Sequence, residues 1–215
     1  MATVPKLTAI TARLYAPMHK DFDRQLTAAL LRRDAFLDRM IAGEIQHLRE
    51  DLAGKKLSPV ANRFIAGKLK GMGKKGDPAL KQVSIAVRPA TANALRVATT
   101  KHNLVRDAFL NRLITLLRSS DKLLDALDLP KKVVGSDWRD GSEPMPTSPL
   151  KAIEATESDP LYYLRNACHQ RHGCGLYALD FPESVIGFSC FLDDDRIPGT
   201  PENARRIESE TLEPL

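Results

Sequence analysis

The sequence lacks the features that place a chain in a membrane or in an oxidising compartment. None of its apolar runs approaches the ~20 residues that a membrane-spanning helix needs, and its first residues, MATVPKLTAIT, contain no apolar signal core. Its three cysteines are an odd number without the spacing of a disulfide framework. No nucleophile, base and orienting residue stand together in a recognisable order. These absences predict a cytoplasmic protein that is not an enzyme, carries no cofactor and does not bind a membrane.

What the sequence does have is an uneven distribution of charge. The 215 residues have a net charge of +5. Residues 1–130 contain 23 Lys+Arg against 12 Asp+Glu, a net charge of +11, whereas residues 131–215 carry −6. The basic front is typical of a nucleic-acid binder. The acidic back indicates a separate role, such as contact with a protein partner or with a second copy.

A nine-residue segment occurs twice. RDAFLDRMI at Arg33–Ile41 returns as RDAFLNRLI at Arg106–Ile114, 73 positions later, with seven residues identical. The two differences, Asp38 against Asn111 and Met40 against Leu113, conserve size. A near-copy within one short chain indicates a duplicated folding unit.

Extending the alignment upstream without a gap predicts one strand in each copy. Apolar residues alternate with others, and a proline closes each run. A lone strand of this length has unpaired edges in water, so we expect the two strands to pair with each other. The apolar faces consist of Ile10, Ala12 and Leu14 in the first copy and Val83, Ile85 and Val87 in the second.

Two helices follow each strand. Helical spacing of apolar residues predicts first helices over Met18–Leu30 and Thr91–His102, and second helices that open at Arg33 and Arg106. Asn103 suits a helix end because asparagine tolerates the left-handed conformation. The copies cover about residues 8–52 and 81–117, within a domain of residues 7–118. The connector, residues 53–80, includes a short helix from Ser58-Pro59.

The segment VSIAVRPATANALRVATTKHNLVRDAFLNRLITLL resembles a ribbon-helix-helix unit of the MetJ/Arc/CopG type. The resemblance rests on the alternating strand, the helix, the turn Asn103-Leu104 and a second helix opening on Arg-Asp. It departs from the family pattern at Leu30, where a small turn residue is usual, and at Arg32 and Val105, where a Ser or Thr cap is common. The resemblance implies units that function in pairs, with two strands forming an antiparallel ribbon in the major groove of DNA. Because one chain carries both copies, we expect an intramolecular pseudo-dimer, mainly α with a short β-ribbon.

The outward face of such a ribbon would contact the bases. Arg13 suits a bidentate contact to guanine and Gln82 a paired contact to adenine, and the two strands differ, so the site should be asymmetric. The alternative is an inert solvated surface. The predicted base-contacting residues are Ala9, Thr11, Arg13, Gln82, Ser84 and Ala86.

A second set of residues is predicted to contact phosphates. Arg33 and Arg106 lie beside helix-terminal amides, although they could instead cap a helix or pair with a carboxylate. The basic segment Lys68–Asp77 is either a solvated loop or a phosphate-contacting arm. The predicted phosphate contacts are Arg33, Arg106, Lys81, Arg88, Lys74 and Lys75.

The back third is predicted to be a linker, residues 119–159, a small α+β module, residues 160–195, and a tail, residues 196–215. The segment SSDKLLDALDL extends or follows the second helix, with Leu123, Leu124 and Leu127 on one side. The runs GLYALDF and SVIGFSCFL favour a hairpin. The tail is expected to be disordered apart from a short helix through Asn203–Ile207.

One cluster, CHQRHGC, contains residue types that bind zinc, namely Cys168, His172 and Cys174. Its spacing is far shorter than the paired knuckles of common zinc modules. The spacing therefore favours structural residues over a metal site.

The resulting prediction is a sequence-specific regulator of transcription that binds double-stranded DNA. Two alternatives remain: an accessory protein that binds the transfer origin of a plasmid or other mobile genetic element, and an antitoxin-like module whose C-terminal region wraps a protein partner. Further self-association on DNA is compatible with each of them.

Overall fold

The computed structural model describes residues 6–71, 80–133, 145–150, 159–179, 181 and 197–212. In this part of the chain the protein is mainly helical, with two small antiparallel sheets. No helix among the described residues is both long enough and apolar enough to cross a membrane. The elements are β1 (Thr8–Tyr15), α1 (Ala16–Ala28), α2 (Arg33–Asp51), α3 (Pro59–Gly71), β2 (Leu80–Val87), α4 (Pro89–Lys101), α5 (Arg106–Arg118), α6 (Asp121–Ala126), β3 (Lys132–Val133), β4 (Met145–Pro146), α7 (Tyr162–His172) and α8 (Pro201–Leu212).

The predicted order of strand, helix, turn and helix is present in both copies, as β1-α1-α2 and β2-α4-α5. Helices α1 and α4 correspond residue for residue at the spacing of the repeat. Both begin two residues earlier than predicted, at Ala16 and Pro89. A proline stands in the first turn of each, where its missing N–H would have had no partner within the helix.

Strands β1 and β2 pair with each other, as their alternation predicts. They are antiparallel over eight residues each, from Thr8 opposite Val87 to Tyr15 opposite Leu80. Thr11 lies opposite Ser84, which is its own counterpart in the repeat. The register is therefore symmetric about this central pair. The buried face consists of the predicted residues Ile10, Ala12, Leu14, Val83, Ile85 and Val87.

The two copies share one core because each second helix packs on the other copy's strand. Helix α2 lies against β2 and α4, and helix α5 lies against β1 and α1. The rings of Phe22 and Phe36 lie 6.3 Å apart within this core. The apolar stripes predicted for the second helices are buried in both copies.

The turns between the paired helices adopt the same backbone conformation in both copies. Asn103 has φ 53°, as expected for this residue, and Leu30 has φ 56° at the corresponding position. Leucine pays a steric cost in this left-handed region that asparagine largely avoids. Leu30 is also 93% exposed.

The connector reaches β2 by way of α3, which is longer than the predicted short helix. Ser58 caps it, accepting a hydrogen bond from the N–H of Ala61 at 3.0 Å. Its buried face consists of Ala61, Ile65 and Leu69. The connector also covers the α4–α5 turn, where the N–H of Leu57 donates to the carbonyl of His102 at 3.0 Å.

In the back third, the structure confirms the helix at SSDKLLDALDL and differs from the prediction at GLYALDF. The predicted apolar side of SSDKLLDALDL is buried along α6 and just after it. The run GLYALDF was predicted to be a strand, but residues 175–179 form a turn, in which Leu176, Tyr177 and Leu179 are all buried. A strand would send the first two of these to opposite faces. The second predicted strand, SVIGFSCFL, lies outside the described residues.

The tail is more ordered than predicted between Pro201 and Leu212, which form α8. The predicted helix through Asn203–Ile207 is its centre. Thr200 caps it by accepting from the N–H of Asn203 at 3.2 Å, and Pro201 occupies the first turn. This start signal outweighs the polar composition that favoured disorder.

Candidate nucleic-acid interface

The face of the ribbon that points away from the core carries the predicted base-contacting residues. Of these, Ala9, Thr11, Arg13, Gln82 and Ser84 are exposed, and Ala86 is half-buried. The strict alternation of apolar and other residues places them there, because successive side chains of a strand point to opposite faces. The orientation predicted from the sequence is confirmed.

The register decides which of these side chains lie side by side. Arg13 is opposite Gln82 at one end, and Thr11 is opposite Ser84 at the centre. At the other end Ala9 is opposite Ala86. The outward face therefore runs from long polar side chains, through two hydroxyls, to two methyl groups. We call the Arg13–Gln82 end the polar end of the ribbon and the Ala9–Ala86 end the methyl end.

Arg33 and Arg106 lie at the two edges of the ribbon. Arg33 Nη2 donates to the carbonyl of Ser84 at 3.2 Å, and Arg106 Nη2 donates to the carbonyl of Thr11. Each guanidinium also lies beside the aspartate that follows it in sequence. In this structure both arginines attach a second helix to the central pair of the ribbon, while their side chains remain 33% and 45% exposed.

The aspartates of the same turns contact the ribbon as well, but in different ways. Asp34 Oδ2 accepts from the N–H of Ala86 at 3.0 Å. Asp107 Oδ2 lies 3.5 Å from Arg13 Nε. The sequence indicated only that these carboxylates suit the first turn of a helix. Their contacts with the strands depend on the exchange of helices between the copies.

Asp38 and Asn111, one turn further along the second helices, close the ends of the strands. Asn111 Oδ1 accepts from the N–H of Tyr15 at 2.9 Å, and its Nδ2 donates to the carbonyl of Arg13 at 2.8 Å. Asp38 accepts from the N–H of Arg88 at 2.9 Å and from Arg88 Nε at 2.6 Å. Asp38 and Asn111 are similar in size but differ in chemistry. The amide of Asn111 both donates and accepts, whereas the carboxylate of Asp38 binds a cation.

An ion pair between Arg88 and Asp38 lies at the methyl end of the ribbon. Burial disfavours the ionised form of Asp38, but the hydrogen bonds and the charge of Arg88 outweigh burial and hold the pKa of this carboxyl below its usual value. The Arg88 side chain is 53% exposed. Arg88 therefore reaches solvent while it is paired.

The other predicted phosphate contacts are three lysines. Lys81 is exposed next to Gln82 at the polar end of the ribbon. Lys74 and Lys75 lie outside the described residues.

His19 of α1 is buried, and its Nδ1 lies 3.3 Å from Asp23 Oδ2. Burial lowers the pKa of His19 despite Asp23, and the charges of Arg33 and Lys81 lower it further.

The predicted zinc-type residues are bonded to the protein itself. Cys168 is buried on α7 and its Sγ donates to the carbonyl of Cys174 at 3.3 Å, and burial raises the pKa of the Cys168 thiol to about 12. His172 Nε2 lies 2.8 Å from the carbonyl of Leu127. Among the described residues no group of three His, Cys, Asp or Glu side chains is arranged to hold a metal ion. Cys190, the third cysteine of the sequence, lies outside those residues.

No family model, curated protein or solved structure matches this chain. The internal repeat, the geometry of the ribbon and the charges around it are therefore the features that bear on function.

Proposed function

We propose that this protein is a sequence-specific double-stranded DNA-binding regulator of transcription, a tandem ribbon-helix-helix pseudo-dimer that reads the major groove with β1 and β2. The observation that carries the proposal is the two-stranded ribbon itself. One of its faces is buried on the shared core, and the other presents Thr11, Arg13, Gln82 and Ser84 to solvent. The exposed groups are hydrogen-bond donors and acceptors, and base edges in the major groove offer partners for every one of them.

The dimensions of the ribbon suit the groove. Paired strands lie about 4.8 Å apart, and the major groove of B-form DNA is about 12 Å wide and admits a two-stranded ribbon. The outward side chains at the centre of the ribbon are short, so the backbone can approach the base edges closely. Arg13 and Gln82 are the long donors at one end.

The charges around the ribbon support contact with phosphates. Arg33 and Arg106 flank the central pair from opposite edges, and Lys81 and Arg88 stand near the two ends. In a complex with DNA, Arg33, Arg106 and Arg88 would each contact a phosphate in addition to the carboxylate that each contacts now. Each phosphate contact made in this way steepens the dependence of affinity on salt by about 0.9 in logarithmic slope. The net charge of +11 over residues 1–130 provides the long-range attraction.

The test is selection from a random pool of duplex DNA with the full chain, followed by titration of the recovered motif against random DNA at several salt concentrations. The proposal expects a defined motif and a steep salt slope. The double substitution Arg13→Ala/Gln82→Ala should lower affinity for the motif at least about tenfold and lower binding to random DNA much less, because only one positive charge is lost. The position of the motif then distinguishes the two roles. A motif in promoters indicates regulation of transcription, and a motif in a transfer origin indicates a role in DNA transfer.

Lys122→Ala is the matched control, because Lys122 is an exposed cation that belongs to α6 and not to the ribbon. It should change neither the motif nor the affinity for it. If the double substitution also leaves the affinity for the motif unchanged, the ribbon does not read the bases. Weak binding without a motif would refute sequence-specific recognition.

A further inference from the structure

The two ends of the ribbon are chemically unequal in a way that neither strand shows alone. By the repeat, Ala9 corresponds to Gln82, and Arg13 corresponds to Ala86. Each strand therefore has one methyl group and one long polar side chain at its outward end positions. The antiparallel register places both polar residues at one end and both alanines at the other. A ribbon made of two identical strands would have equal ends.

The polar end is also the end at which a carboxylate lies beside an outward-facing side chain. Asp107 Oδ2 lies 3.5 Å from Arg13 Nε, so the carboxylate faces one edge of the guanidinium. The two terminal nitrogens form another edge, which suits the paired acceptors O6 and N7 of guanine. At the methyl end the corresponding carboxylate, Asp34, is bonded to the backbone N–H of Ala86 instead.

The methyl end retains one means of recognition. Ala9 and Ala86 offer no hydrogen bond from their side chains, but a methyl group can pack against the C5-methyl of thymine. The two ends lie about 7 Å from the central pair, since each outward position is two residues away at about 3.4 Å per residue. This distance corresponds to about two base pairs of B-form DNA.

We propose that the binding site is a non-palindromic duplex read unequally on its two sides. About two base pairs from the centre, the Arg13–Gln82 end specifies a guanine and a neighbouring base by hydrogen bonds. On the opposite side, the contacts of the Ala9–Ala86 end with the bases are only apolar and are made with thymine methyl groups. This proposal rests on the proposed function and states which class of DNA it takes. It also means that the protein binds the site in one orientation.

The first measurement uses the wild-type chain and the motif recovered from the random duplex pool. Replacing the guanine on the specified side should lower affinity about tenfold or more. On the other side, replacing thymine by deoxyuridine removes only the methyl group and should lower affinity a few-fold. The expected motif therefore has strong preferences on one side of its centre and weak ones on the other.

A double substitution, Ala9→Gln/Ala86→Arg, gives both ends the same groups. Ala9 is exposed, and Asp34 stands beside residue 86 as Asp107 stands beside Arg13, so each end would have an arginine with a carboxylate next to it. Selection with this variant should recover an inverted repeat of the wild-type half that carries the guanine. Circular dichroism and urea unfolding confirm that the variant is folded before selection.

The outcomes separate the two proposals. A palindromic wild-type motif, or an asymmetric motif that Ala9→Gln/Ala86→Arg leaves unchanged in a folded protein, overturns the unequal reading while sequence-specific binding stands. Failure of the wild-type chain to recover any motif overturns the proposed function, and the unequal reading with it.

Discussion

The two copies of the repeat have nearly the same sequence around RDAF but different surroundings. Arg39 in α2 is exposed and lies over the ring of Phe36, 5.9 Å from its centroid. Its counterpart Arg112 in α5 is fully buried, 3.8 Å from the centroid of the Phe181 ring. Arg112 Nη2 donates to the carbonyl of Leu176 at 2.7 Å and to that of Leu179. The same residue type at the same position of the repeat is a surface group in one copy and part of the core in the other.

The difference arises because residues from the back third cover the second copy. Every residue from Ala108 to Leu117 in α5 is buried. Beyond α5, the covering residues reach α2, where Glu44 is 2% exposed and binds Arg165 Nη2 and the Tyr177 hydroxyl, each at 2.8 Å. Burial raises the pKa of Tyr177 well above its usual value, and Glu44 raises it further by its negative charge and its hydrogen bond. The position of Glu44 in the repeat is occupied by Leu117 in the second copy, so the copies have diverged where the later residues pack.

The largest effect on the free energy of unfolding is expected when Arg112 is replaced, and Arg39 is its matched control in the other copy. Arg112→Ala leaves two buried carbonyls without this donor and a void beside Phe181, so we expect a loss of about 3–5 kcal/mol in the free energy of unfolding. Arg39→Ala should cost no more than about 0.5–1 kcal/mol, because Arg39 is exposed. Urea unfolding of the two variants measures the difference. Equal losses would contradict the distinct environments of the two copies.

A smaller effect is expected at the turns, where the copies differ between Leu30 and Asn103. Leu30→Asn should stabilise the fold by about 1 kcal/mol, since it relieves the left-handed leucine without removing buried surface. The reciprocal change, Asn103→Leu, should destabilise by about 2 kcal/mol, because Asn103 Nδ2 also donates to the carbonyl of Leu57 at 2.8 Å. Thermal unfolding of both variants provides the measurement. A destabilising Leu30→Asn would mean that Leu30 makes a contact that offsets its strain.

The smallest effect concerns pH and the difference between His19 and its counterpart Ala92. Burial lowers the pKa of His19 below its ordinary value, so the unfolded chain binds a proton more readily than the folded one. This group therefore reduces stability as the pH falls below about 6.5. The lowered pKa values of Asp21 and Asp38 act only near or below their usual value of 3.8.

Urea midpoints at pH 7.5 and 5.5 measure this effect. The decrease on acidification should be smaller in His19→Gln than in the wild-type chain, and His169→Gln, at an exposed position on α7, serves as the control. An unchanged decrease in His19→Gln would show that His19 is not the titrating group.

Much of the ribbon could be predicted because its signals are local. Alternation assigned each side chain of β1 and β2 to a face, and the repeat indicated that the strands pair with each other. The prediction failed where a distant residue overrides local propensity. The turn at residues 175–179 is held by Asp51, whose Oδ2 accepts from the N–H of Tyr177 at 2.8 Å. A Cβ added at Gly175 would lie 1.9 Å from Asp51 Oδ1, so any other residue there would displace the carboxylate that holds the turn, and no local pattern reveals this.

The sequence by itself determined the duplication, the two strands with their faces, the paired helices and the left-handed turn at Asn103. Each of these follows from periodicity or backbone preference within one segment. Only the tertiary structure decided that Arg13 lies beside Gln82 and Ala9 beside Ala86, that α2 and α5 exchange strands, and that Arg112 is buried while Arg39 is not. Those outcomes depend on the register of segments about 70 residues apart and on which surface the later chain covers. Such long-range packing is a property of the folded chain as a whole.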